Sequence, residues 1–174
     1  MRKTKKITIS ALMSAIGAVF LTLGAVFEVM DLTASAFASL IIVFVYIEVG
    51  SPYTYLVWLV TSVLSFVFFP GSIIWAEYFA VFGIYPIIKA YIEKLPRQLW
   101  LLLKILYANL VIWLMMLACQ FILKIPFFEK DVLWFKIAVY VILNVAFLAY
   151  DIFLTVMVRF YFQRLRHRFR NLLK

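Results

Sequence analysis

Few side chains in this 174-residue sequence can do chemistry, and most of them are acids or amides set inside long apolar runs. Glu28 and Asp31 close one run. Glu77 lies about one turn into another, flanked by Trp75 and Tyr78, and Gln120 and Asn144 interrupt two more. An ionisable group in an apolar medium is costly, so each is a candidate binding residue by default. Acids beside aromatic rings suit a small ligand, cations included, because the carboxylate supplies charge and the ring a cation–π face. Glu28, Trp75, Glu77, Tyr78, Gln120 and Asn144 are the candidate substrate contacts, with Glu28 as a lid residue. Glu28 and Asp31 fit equally as loop residues in water.

A second set is Glu48, Lys89 and Asp151. Either acid paired with Lys89 makes a structural ion pair that locks helices together, since an unpaired charge would be expensive there. A proton relay is the sharper alternative for the same residues.

Catalysis finds little support. The sequence has no H-E-x-x-H, no G-x-S-x-G and no P-loop, and no His, Cys or acid cluster at metal-ligand spacing. Cys119 is the single cysteine and His167 the single histidine, the latter in a basic segment. We therefore expect neither an enzyme nor a bound metal or cofactor.

The elements that must position these residues follow from composition. Hydrophobic residues make up 67% of the sequence, and the mean hydropathy is +1.07. No soluble domain hides that much apolar surface, so the expected solvent is lipid. The runs are continuously apolar rather than alternating, which argues for helices and against a transmembrane β-barrel. The reading is an all-α polytopic membrane protein, a single integral membrane domain over 1–174, with six spans. These are Ile7–Val29, Thr33–Val49, Tyr53–Phe69, Ile73–Ile92, Leu99–Leu123 and Val132–Phe162. Gly50-Ser51-Pro52 and Pro70-Gly71-Ser72 are turn clusters between them. Glu93 to Arg97 and Lys124 to Asp131 are polar loops. Gly83-Ile84-Tyr85-Pro86 predicts a kink inside the fourth span. The tryptophans read as interfacial belts.

Charge sets the expected orientation. Fourteen of the 17 Lys and Arg residues fall at the two ends and at the junction of spans 4 and 5, and three on the opposite side. The positive-inside rule then places both termini in the cytoplasm. The formal net charge of +9 is better explained by topology and anionic lipid than by nucleic acid.

Span 1 carries a face of small residues at helical spacing: Ala11 and Ala15, continued by Ser10, Ser14 and Ala18. Such spacing lets another helix approach closely. The basic start Met1 to Lys6 leads straight into Ile7-Thr8-Ile9-Ser10-Ala11-Leu12-Met13-Ser14-Ala15. With six short-looped spans and a basic end, the sequence resembles the substrate-binding membrane subunits (S components) of energy-coupling factor transporters. The resemblance implies uptake of a vitamin or similar micronutrient from outside a bacterial cell. It also implies that Ala11 and Ala15 match the family's Ala-x-x-x-Ala contact with a transmembrane coupling protein, which joins cytoplasmic ATPases. The expected location is the plasma membrane, multi-pass. Two other readings stay open: a non-transport scaffold of cell-envelope assembly, and a gradient-driven small-solute carrier.

Overall fold

The computed structural model describes residues 3–27, 30–121 and 133–166. Among them every element is helical. The order is α1 (Lys3–Val26), α2 (Asp31–Glu48), α3 (Tyr53–Phe68), α4 (Ile74–Glu77), a π-helical turn (Tyr78–Phe82), α5 (Tyr85–Ile92), α6 (Arg97–Phe121), α7 (Leu133–Phe160) and a second π-helical turn (Tyr161–Leu165). Among the described residues, four stretches are long and apolar enough to cross a membrane: Lys3–Val26, Asp31–Glu48, Arg97–Leu117 and Ile137–Arg164. The apolar α3 has 16 residues, a rise of ~24 Å. Large apolar side chains face outward, among them Leu12, Val19, Leu101, Leu106 and Ile142, each more than half exposed. Such a surface is stable against lipid and not against water, which marks a membrane protein.

The chain divides into two compact units, residues 1–88 with 154–174, and residues 89–153. In the first, α1 packs against α2 and α3, and α4 with its π-turn packs against α2 and α3. Small and hydroxyl-bearing side chains make this close packing. Ser10, Ser14, Gly17, Ala18 and Gly24 are buried on α1; Ala34, Ser35, Ala38 and Ser39 on α2; Thr54, Thr61, Ser62 and Ser65 on α3. Thr61 donates to the Ser14 carbonyl at 3.4 Å. A Cβ on Gly17 would stand 3.0 Å from the Thr61 methyl, and one on Gly24 would stand 2.6 Å from Ile74 and 2.7 Å from Ala34. With lipid outside, packing contacts and hydrogen bonds of this kind hold helices together. Leu21, Ile42, Val45, Val57 and Ile74 fill the core between them.

Breaks in the helices have local causes. Val49 and Gly50 both donate to the Val45 carbonyl at 2.9 Å, and Gly50 takes φ +82°, the left-handed cap that glycine adopts without a Cβ penalty. A cis peptide joins Ser51 to Pro52 before α3 begins.

The fourth predicted span is not one helix. It divides into α4, the π-turn and α5, with a non-helical step at Gly83 and Ile84. Pro86 stands in the first turn of α5, where its missing N–H costs nothing and its ring would clash with a preceding turn. The end shifts of one to four residues elsewhere, such as α1 running Lys3–Val26 where hydropathy gave Ile7–Val29, arise because helix ends are set by local hydrogen bonding that hydropathy does not sense. The predicted loop Lys124 to Asp131 and His167 lie outside the described residues.

Candidate functional site

The first unit holds the acid and aromatic candidates of the fourth span. Ile74 of α4 is fully buried against Gly24 and Ala34, which fixes the short helix on the α1–α2 corner. Three residues on, Glu77 is half-buried, and its Oε2 has no hydrogen-bond partner among the described residues. The like-charged carboxylate of Asp31, first residue of α2, lies within electrostatic range. Tyr78 is fully buried, with its hydroxyl toward Thr61. Trp75 meets Phe66 of α3 edge-on, ring centres 5.0 Å apart.

The π-turn that follows is built around Gly83. Its N–H donates to the Tyr78 carbonyl at 2.7 Å, five residues back. A Cβ there would lie 2.5 Å from the Trp58 ring, 2.8 Å from the Tyr78 carbonyl oxygen and 2.9 Å from the Tyr78 ring. Trp58 donates its indole N–H to the Phe79 carbonyl at 3.1 Å and stacks on the Phe79 ring at 4.7 Å. It thereby satisfies a carbonyl inside the π-turn. Trp58 is thus half-buried and packed through its ring. π-turns inside helices concentrate at functional sites.

The remaining substrate candidates are placed differently. Glu28 lies outside the described residues, as does the side chain of Gln120 on α6. Asn144 belongs to the second unit and donates to the Tyr140 carbonyl of its own helix at 3.0 Å.

That second unit carries a closed ring of four charges. Lys89 pairs with Glu93 at 2.9 Å and with Asp151. Lys104 pairs with the same Glu93 oxygen at 3.1 Å and with the other Asp151 oxygen at 2.8 Å. Both lysines are buried. The geometry brings Lys89 to Asp151, one of the two pairings the sequence left open. Glu48 is engaged elsewhere: it accepts from Tyr161 at 2.9 Å and lies 3.8 Å from Arg166 Nε. Sequence reading missed Lys104 and Glu93. It counted Lys104 only among the charges at the junction of spans 4 and 5; the residue pairs from inside α6. The signal for Lys89–Glu93 was their i,i+4 spacing, and for Lys104 its place seven residues into an otherwise apolar helix.

The small residues of α1 divide between two faces. Ser10, Ser14, Gly17 and Ala18 point inward, while Ala11 and Ala15 are exposed, on a strip with Leu12 and Ile16. Ser14 and Ala18 therefore do not continue the Ala11–Ala15 face.

No group of three His, Cys, Asp or Glu side chains among the described residues could hold a metal ion. No protein-family model, curated protein or solved structure matches this chain.

Proposed function

We propose that the protein is the membrane-embedded substrate-binding subunit of a transport system of the energy-coupling factor kind. It would take up a vitamin or similar small micronutrient across a bacterial plasma membrane. In this reading the chain crosses six times, with both termini cytoplasmic, and the α4–α5 stretch is a broken span. The observation that carries the proposal is Glu77: a carboxylate oxygen shut away from solvent, with no hydrogen-bond partner described, beside a second carboxylate and a buried tyrosine. An apolar surrounding makes such a group expensive unless a ligand completes it. Glu77, Asp31, Trp75 and Tyr78 then contact the substrate. The exposed Ala11–Ala15 strip docks the coupling protein, whose ATPases supply the energy.

Native mass spectrometry of the protein purified in mild detergent tests this reading. A single stoichiometric micronutrient, lost in Glu77→Ala, is the expected result. A well-folded protein that is empty and indifferent to a panel of vitamins would refute it.

The second reading, a non-transport scaffold of the cell envelope, is favoured by the charge ring and by the bond of Tyr140 on α7 to Asn109 on α6. Both spend polar groups on holding helices together. Co-purification of envelope-synthesis proteins, in place of a coupling protein with ATPases, would support it.

A further inference from the structure

Cations distant in sequence meet at one end of the first unit. Lys6 of α1 donates to the Val49 carbonyl, just past α2, at 3.2 Å, and its ammonium lies 5.7 Å from the centre of the Tyr53 ring. The adjacent Glu48 takes the Tyr161 hydroxyl at 2.9 Å and faces Arg166 at 3.8 Å. Tyr161 also packs edge-on against Phe44, ring centres 5.9 Å apart. The last turn of α2 therefore anchors both the start of α1 and the turn that follows α7. Lys3, Arg159, Arg164 and Arg166 are exposed here. Asp31 and Glu77, the other acids described in this unit, belong to the far end of α2, ~26 Å away by helical rise.

The cations are not loosely displayed. The guanidinium groups of Arg164 and Arg166 lie 5.9 and 5.0 Å from the ring centres of Phe160 and Phe162. Both rings are exposed, as is Ile7 beside Lys6. A surface that alternates cations with bare apolar groups fits an amphiphile: an anionic head against the cations, acyl chains against Ile7, Phe160 and Phe162. The positive end of the α1 dipole points to the same place. Glu48 does not offset this, because its side chain is only 12% exposed and is occupied by Tyr161 and Arg166.

We infer that this end of the first unit is a binding surface for an anionic phospholipid, whose phosphate is held by Lys3, Lys6, Arg164 and Arg166 in a position set by the Tyr161–Glu48 bond. The surface is separate from the residues around Glu77 and does not depend on the transport reading.

The test uses the full chain in neutral detergent, with phosphatidylglycerol or phosphatidylcholine of equal chain length, and counts bound lipid by native mass spectrometry. Phosphatidylglycerol is retained, phosphatidylcholine is not, and retention falls as salt rises. Removing cations in R164Q/R166Q weakens retention by about fivefold for each. Tyr161→Phe keeps every charge but frees the turn after α7, and weakens retention at least about twofold. Arg97→Gln, in the second unit, changes nothing. Thermal unfolding checks that each variant folds, and Arg166→Gln alone replaces the double variant if that one does not. Equal retention of the two lipids overturns the inference, as does a loss in Arg97→Gln matching that of R164Q/R166Q. Unchanged retention in Tyr161→Phe also overturns it, by showing charge without a placed site.

Discussion

Lys104 reaches Asp151 across 47 residues of sequence and closes on its Oδ2 at 2.8 Å. The other oxygen of the same carboxylate belongs to Lys89. One aspartate thus joins three helices, α5, α6 and α7. Two buried ammonium groups depend on it, with Glu93 completing neutrality.

Asp151→Asn should therefore be far more damaging than Glu93→Gln. Either change leaves two buried cations with one carboxylate between them, but Asp151 is the deeper acid, 13% exposed, and gives each lysine its own oxygen, so its loss should be on the order of 3–5 kcal/mol. Glu93 is a third exposed, so water replaces much of what it supplies, and its loss should cost about 1 kcal/mol or less. Thermal unfolding in detergent would rank them; equal losses would mean the ring does not act as described.

Glu77→Gln should make the ligand-free protein more stable. It removes a half-buried charge that Asp31 repels and that lacks, at Oε2, a described hydrogen-bond partner, a relief on the order of 1 kcal/mol. It should also lose the substrate. A destabilised Glu77→Gln protein would show that the carboxylate has a structural partner instead.

Gly83→Ala should unfold or rearrange the π-turn, because the added methyl meets the Tyr78 backbone at 2.8 Å and the Trp58 ring at 2.5 Å. Overpacking of this kind costs about 1–3 kcal/mol. Gly71→Ala is the control, since no atom lies within 4 Å of its would-be Cβ. Unfolding midpoints that match would contradict the close approach.

Leucine at Ala11 and Ala15 should leave folding and substrate binding intact and stop uptake, because both residues are exposed. Leucine at Ser14 should disrupt the α1–α3 contact and lower stability, since that residue is buried where Thr61 meets its backbone. Persistent uptake in the Ala11→Leu, Ala15→Leu protein would remove these residues from any docking role.

Composition and hydropathy alone made the helical, lipid-facing character legible, because continuous apolar runs of ~20 residues admit few other structures. The turns at Gly50 to Pro52 and Pro70 to Ser72, and the interruption near Pro86, were equally readable, since glycine and proline act locally on the backbone. The inward face of α1 was not. Small residues occur on both sides of that helix and apolar ones all round it, so periodicity names no preferred face; contact with Thr61 and Ile74 does. Nor could spacing choose between Glu48 and Asp151 as partner for Lys89. Both stand inside apolar runs, and the choice depends on which helix ends meet in space. Tertiary packing made it, bringing Asp151 to Lys89 and Lys104, and Tyr161 and Arg166 to Glu48. A charge in lipid must find whatever counter-charge the fold brings within reach, and sequence distance does not measure that reach.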